Sequence, residues 1–439
     1  MENRQLDVVE VLLTGICYDR NAELDENDLP SAIRTALWTG DGVSRPPKPD
    51  EDALAEATGL EDPWAEISGL MFTDRDTFSG TISVTDEEML EGWFLERADQ
   101  KRLQKNPTLA YEYQDHADFD LDYEQARDAN RPVHADPQYI QSQLDSYFDE
   151  DDEEMLDLVE VRAPAEIEIT LEDLVLTQDQ STEVRKVAKA IEHRDYLAEI
   201  GLREIGKLLF VGPPGTGKTS VARGLAHQLD LPFVEVKLSM ITSQYLGETA
   251  KNVEKVFEVA KRLSPCILFI DEFDFVAKTR TSDEHAAIKR AVNTLLKSID
   301  EVSLIRDDVL LIGATNHPDE LDAAAWRRFD EILHFPRPDE TMRQGILDLV
   351  TADIDIEGFD PAEIAAETSG LTGSDLRLVL REAVLSALVS DRTTLSQQDL
   401  LDAVEEFEER DHMRNLETIE EALDVEGEHE HDHDHAPTP

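Results

Sequence analysis

The 439-residue chain changes rhythm three times along its length. Between 170 and 338, short apolar runs recur at Leu208–Val211, Phe233–Val236, Cys266–Ile270, Val309–Ala314 and Ile332–Phe335. Each is too short for a helix and nearly free of polar residues, which predicts strands buried on both faces. The segments between them repeat apolar residues at helical spacing. Strands alternating with helices predict an α/β fold, a parallel sheet sandwiched by helices. From 339 to 412 the pattern becomes helical only, over Met342–Val350, Pro361–Glu367, Ser374–Leu388 and Leu395–Phe407. The last of these carries a capping box, Ser396-x-x-Asp399. These four segments predict a small all-helical unit.

The first 150 residues predict a separate N-terminal domain of unknown fold. Leu6, Val9, Leu12, Leu13 and Ile16 share one helical face, and Ala32–Trp38 reads as a second short helix. Pro46-Pro47-Lys48-Pro49 and the acidic residues after it read as a linker. Trp64, Phe72, Phe78, Trp93 and Phe94 offer aromatics for a small core. The run Asp149–Glu154 marks a solvated boundary, so 151–169 reads as an acidic linker, with Ile167, Ile169 and Leu171 alternating as a leading strand. Residues 413–439 are acidic, His-rich and of low complexity, a disordered tail. His429, His431, His433 and His435 could hold Ni²⁺ or Zn²⁺, although a solvated tail is the simpler reading.

Charge changes this picture. Acidic residues number 98 against 41 basic ones, a formal charge of −57. A disordered acidic chain is one explanation, but 40% apolar content with clear periodicity argues against it. The other is a solvating surface suited to a high-salt cytoplasm, where screening tames self-repulsion. No basic stripe is present for nucleic acid, no apolar run is long enough to span a membrane, and no signal peptide is evident. Cys17 and Cys266 are too few for a disulfide scaffold, and Cys266 falls inside a strand as a small hydrophobe. The chain reads as a cytoplasmic protein.

Candidate chemistry begins directly behind Leu208–Val211, where Gly212-Pro213-Pro214-Gly215-Thr216-Gly217-Lys218-Thr219 opens a helix, with Ser220 following. Strand, glycine-rich turn and helix start are the context of a phosphate-binding loop. The glycines let backbone N–H groups approach a polyphosphate, and the helix dipole favours the anion. Lys218 reaches the β- and γ-phosphates, and Thr219 offers a hydroxyl to Mg²⁺. Cys266–Ile270 then runs into Asp271-Glu272. Asp271 is placed to hold Mg²⁺ through water, and Glu272 to polarise an attacking water as general base. A plain surface acidic pair is the bland alternative, made poor by the apolar run in front of it.

Together with Gly313-Ala314-Thr315-Asn316, these strings resemble the AAA family of P-loop ATPases, over roughly Asp173 to Phe407. The resemblance implies an AAA+ sheet with a helical lid, ATP hydrolysis with Mg²⁺, and assembly into a homo-oligomer, a hexamer in this family. It makes Asn316 a sensor of the γ-phosphate that orients the lytic water. Arg327 and Arg328 resemble arginine fingers, which act on nucleotide bound by the neighbouring subunit; an ordinary salt-bridged pair is the alternative. The usual Pro-Gly between the two arginines is missing here. Gly370–Leu376 is similar to the sensor-two turn, where Gly373 and Ser374 allow close approach to adenine and ribose. Leu174-Val175-Leu176 replaces the usual Ile-Gly-Gly, so no adenine contact is carried over there. Tyr245, Leu246 and Gly247 match the first pore loop, which grips an extended polypeptide, although Tyr245 could simply pack on its own domain.

The implied activity is ATP-driven remodelling, unfolding or disassembly of proteins by pore-loop threading, with substrates or adaptors chosen by the N-terminal domain. A nucleotide-switched assembly chaperone that does not thread is the alternative, and a nucleic-acid remodeller is disfavoured by the charge. The N-terminal part shows no obvious coiled coil and the tail lacks a hydrophobic-Tyr-X ending, which argues against docking to a proteasome.

Overall fold

The computed structural model describes residues 2–148, 152–202, 205–238, 249–274 and 286–410. The N-terminal region is helical. Helix α1 (Glu2–Arg20) buries Leu6, Val9, Leu12 and Leu13 as expected, leaves Ile16 only partly buried, and also buries Val8, Val11 and Cys17, so it is covered on more than one face. Helical segments Glu51–Thr58, Pro63–Ile67, Glu87–Leu95 and Pro107–Tyr113 pack around it. Burial pushes the Cys17 thiol up to about 12, so it behaves as an inert core residue.

Two expectations fail here. The Pro46–Pro49 stretch is woven into the core rather than linking domains. The Pro49 carbonyl accepts the Ile82 N–H at 2.9 Å, and the Arg45 guanidinium binds the carbonyls of Tyr18, Asn21 and Leu24. Prolines lack donors, but their carbonyls still accept, and a basic neighbour supplies the rest. Phe78 is not in the core either: it is fully exposed. Asp76 Oδ1 accepts the N–H groups of Phe78 and Ser79, turning the hairpin between 73–75 and 82–84 and leaving the ring at its tip.

Helix α2 (Pro137–Tyr147) leads to the central sheet. Its strands are β1 (Val159–Arg162), β2 (Lys207–Val211), β3 (Phe233–Val236), β4 (Cys266–Ile270), β5 (Val309–Thr315) and β6 (Glu331–His334). They lie in the order β6-β2-β5-β4-β3-β1, all parallel except β1, which pairs antiparallel with β3. Alternate residues feed two cores, as the period of two requires. Leu209, Val211, Leu268, Ile270 and Leu311 face α5 (Thr249–Arg262) and α6 (Ala286–Glu301). Leu208, Phe210, Phe269, Leu310 and Ile312 face α3 (Gln178–Glu192) and α4 (Lys218–Gln228).

The strand expected at Ile167–Leu171 is absent. Those residues run between 3₁₀ turns at Pro164–Glu166 and Leu171–Asp173, and the added strand is β1, which lies inside the expected acidic linker. Thr170 and Asp173 bond each other (Thr170 N–H to Asp173 Oδ2, 2.8 Å), which favours a turn over extended chain. Acidic residues before β1 are also tied down: Asp152 pairs with Arg262 at 2.6 Å and Glu154 with Lys255 at 3.0 Å.

The lid comprises α7 (Glu340–Val350), α8 (Pro361–Glu367), α9 (Gly373–Val389) and a helix over 397–410, around its own core. The Ser396–Asp399 box forms as expected. A second, unforeseen box, Thr372–Asp375, starts α9. Two short parallel strands, Ile356–Glu357 and Leu395–Ser396, stitch the lid together where only helices were expected.

Candidate nucleotide site

Strand β2 ends where Gly212 passes the β6 exit so closely that a Cβ there would lie 2.1 Å from the Phe335 carbonyl oxygen. Only glycine fits. Gly215 (φ +75°) and Gly217 (φ +93°) take left-handed backbone, and the loop closes on itself through Thr216 Oγ1 to the Pro213 carbonyl at 2.8 Å. Pro214 completes the turn. The lid touches this loop directly: the Ser374 N–H donates to the Gly215 carbonyl at 3.2 Å, and a Cβ on Gly215 would lie 2.5 Å from Thr372 Oγ1.

Helix α4 then begins with the two residues chemistry demands. The buried Lys218 ammonium donates to the carbonyls of Gly212 and Pro213, each at 2.8 Å, and to Asn316 Oδ1 at 2.7 Å. Burial holds it below the ordinary lysine range, while Asp271 and Asp274 pull the other way. Thr219 Oγ1 donates to Asp271 Oδ2 at 3.0 Å. The other carboxylate oxygen, Asp271 Oδ1, accepts the Glu272 N–H at 2.8 Å. Glu272 itself is exposed and holds φ +46°, a left-handed conformation costing a glutamate about 1–2 kcal/mol. Such strain fits a side chain whose direction matters. The oxygen-only donor pair of Thr219 and Asp271 suits a hard cation such as Mg²⁺.

Asn316 is reached from β5, and one hydrogen bond missed in the sequence steadies it. Thr315 Oγ1 donates to Asp274 Oδ1 at 2.7 Å, both residues buried. Asp274 lies three residues past Asp271, but nothing local marks it, because its role depends on a contact 41 residues away.

A cleft opens between the loop, the lid and the segment leading into α3. Thr216, Gly217, Ser220, Gly373 and Ser374 line it, as does the unassigned segment Leu174-Val175-Leu176. Val175 Cγ2 would be 3.2 Å from a Cβ on Gly345 of α7, so the bulk that replaces the usual glycines is matched by a glycine in the lid. Arg377, one turn into α9, also lines the cleft.

The two arginines part company. Arg328 is held within its own chain: Nε donates to the Leu296 carbonyl and Asp300 Oδ2, each at 3.1 Å, and Nη1 to the Ala324 carbonyl at 2.6 Å. Arg327 is exposed, and among the described residues its side chain makes no hydrogen bond or ion pair. Phe329 anchors both by edge-on contact with Phe273, ring centroids 5.2 Å apart. Tyr245, Leu246, Gly247 and the tail histidines lie outside the described residues.

Residues 208–337 match the family model described as "ATPase family associated with various cellular activities (AAA)", and 358–402 match its lid domain. An uncharacterized AAA family ATPase of Sinorhizobium fredii is 39% identical over 235 residues, 53% of this chain and 70% of that one. The chain belongs to the AAA ATPase family. It is therefore an ATP-hydrolysing enzyme. Similarity extends to the proteasome-activating nucleotidases of Pyrococcus horikoshii (37% over 243 residues, 54% of this chain and 61% of that one) and Haloferax volcanii (nucleotidase 1, 34% over 249 residues, 55% and 61%). The chain thus spans about three-fifths of those nucleotidases. Among the described residues, no helix is long and apolar enough to cross a membrane.

Proposed function

We propose that this AAA ATPase works as a homo-hexameric ring in the cytoplasm, coupling ATP turnover to the remodelling, unfolding or disassembly of protein substrates by threading. The observation that carries the reading is the split between the arginines: Arg328 is spent inside its own subunit, whereas Arg327 is exposed without a partner among the described residues. A guanidinium displayed so can serve a phosphate bound next door, where it offsets transition-state charge and makes hydrolysis depend on assembly. Similarity to proteasome-activating nucleotidases supports proteins as substrates.

Within one subunit, the backbone of residues 212–217 cradles the triphosphate and Lys218 neutralises its outer charge. Thr219 and Asp271 would hold Mg²⁺, which supplies charge neutralisation on the phosphates. Glu272 takes the proton of the attacking water, and Asn316, fixed by Thr315 and Asp274, orients that water. Tyr245 and Leu246 would grip the extended substrate, with Gly247 as their hinge. The N-terminal region is assigned to substrate or adaptor selection, and the charge of −57 argues against nucleic acid.

The test is Glu272→Gln in the full chain. It should bind ATP, leave it uncleaved and stay locked on its protein substrate during pull-down. Turnover at the unsubstituted rate would refute the assignment of the base.

A further inference from the structure

We infer that Arg131, from outside the ATPase module, is a positioning residue for nucleotide binding, because it ties the N-terminal region to the far end of the phosphate-loop helix. Helix α4 starts with Lys218 and Thr219 and ends at Gln228, about 15 Å away. Just past that end, Asp230 takes left-handed backbone (φ +52°), and the chain closes back through the Leu231 N–H to the Ala226 carbonyl at 3.0 Å. Arg131 Nε donates to Asp230 Oδ1 at 2.8 Å, and its Nη2 lies 3.5 Å from His227 Nε2 in the last turn of α4.

What makes this more than a surface pair is the base beneath Arg131. Its carbonyl accepts from Arg34 Nη2 at 2.9 Å, and Arg34 is fully buried. The same guanidinium binds the Asp136 carboxylate and the carbonyls of Glu26 and Leu29 (3.0 and 3.2 Å). Neighbours on either side are pinned too. Asn130 Nδ2 donates to the carbonyls of Asn27 and Leu29 at 2.7 and 2.9 Å, and the Val133 N–H donates to Asn27 Oδ1 at 2.9 Å. Arg131 therefore projects from a segment with little freedom to yield.

The helix it holds has little slack either. A Cβ on Gly224, midway along α4, would lie 2.8 Å from Leu171 Cδ2, so the helix is keyed to the segment carrying Asp173 and the cleft wall. A helix moves as a rigid rod on this scale. Displacing its end at Asp230 shifts Lys218 against Asn316 and the loop carbonyls, which must be in register before the phosphates arrive. The inference rests on nucleotide binding by the AAA module alone, and stands or falls apart from ring formation and threading.

The experiment uses the full chain and ADP, measuring affinity by calorimetry, ATPase kinetics and the thermal midpoint for Arg131→Ala, Arg131→Lys and the charge swap Arg131→Asp with Asp230→Arg. A partly exposed ion pair predicts about a 3-fold loss of ADP affinity in Arg131→Ala, with KM for ATP rising alike and kcat at saturation unchanged. Arg131→Lys and the swap should recover most of the loss. Unchanged ADP affinity in Arg131→Ala, with or without a fall in midpoint, overturns the inference. So does a folded charge swap as weak as Arg131→Ala.

Discussion

Thr315 donates its hydroxyl to Asp274 across 2.7 Å in the buried interior, joining the exits of adjacent strands β5 and β4. Asn316 follows the first, and Asp271 and Glu272 follow the second. The groups proposed to orient water and to deprotonate it are therefore held in one frame. Removing the hydroxyl while keeping the shape, as Thr315→Val, should lower kcat about 10-fold and stability by about 1–3 kcal/mol. Thr315→Ser should retain most of both. Steady-state kinetics and denaturant unfolding check this; an unchanged kcat in Thr315→Val would separate the hydrogen bond from catalysis.

The arginines should behave differently although they are neighbours. Arg327→Ala is expected to keep nucleotide affinity and lose about 10³ in kcat. Arg328→Ala loses three hydrogen bonds to its own subunit and should mainly destabilise, by about 1–3 kcal/mol. Mixing Arg327→Ala subunits with Glu272→Gln subunits should restore turnover, because each supplies what the other lacks across a shared seam. Two inactive proteins that stay inactive when co-assembled would contradict action in trans.

Lys218 makes a pH prediction with opposite signs for stability and binding. Burial lowers its folded-state value, so the unfolded chain holds the proton more tightly. Its contribution to stability is then least favourable below the folded value and improves as pH climbs toward the ordinary lysine range. ATP binding needs the ammonium, so KM should rise over that same alkaline window. Lys218→Arg, which does not titrate there, should give a flatter profile. A flat profile in the unsubstituted chain through this window would contradict the buried ammonium as phosphate ligand.

Salt should matter strongly for a chain of charge −57. Molar salt shortens the screening length to about 3 Å and relieves self-repulsion. Raising KCl from 0.1 M to 2 M should lift the thermal midpoint by about 10 °C or more, a shift worth a few kcal/mol in a domain of ordinary size. A midpoint insensitive to salt would remove the high-salt reading of the composition.

Local pattern was enough for the module that holds nucleotide. Short runs nearly free of polar residues favour strands over helices, so the five parallel strands were legible within a residue or so at each end, although the edge strand β6 buries only Leu333 instead of being covered on both faces. Gly212–Thr219 and Asp271-Glu272 stood out as candidates because phosphate chemistry demands particular residue types directly at strand exits, whereas Asn316 was singled out only through the family resemblance. Other features depended on partners distant in sequence. Phe78 reads as core by composition and is exposed by its turn. Ile167–Leu171 alternates like a strand, yet its Thr170–Asp173 bond and the notch at Gly224 make it a turn.

By itself, then, the sequence determined the strand-and-helix rhythm, the phosphate loop and the carboxylates, since each depends on neighbours a few residues away. Only the tertiary structure decided that Arg328 is engaged and Arg327 exposed, that Asp274 steadies Asn316, and that Arg131 reaches Asp230. Two adjacent arginines look alike along a chain. Their fates diverge because helix α6, brought in by the fold, presents a carbonyl and a carboxylate to one of them.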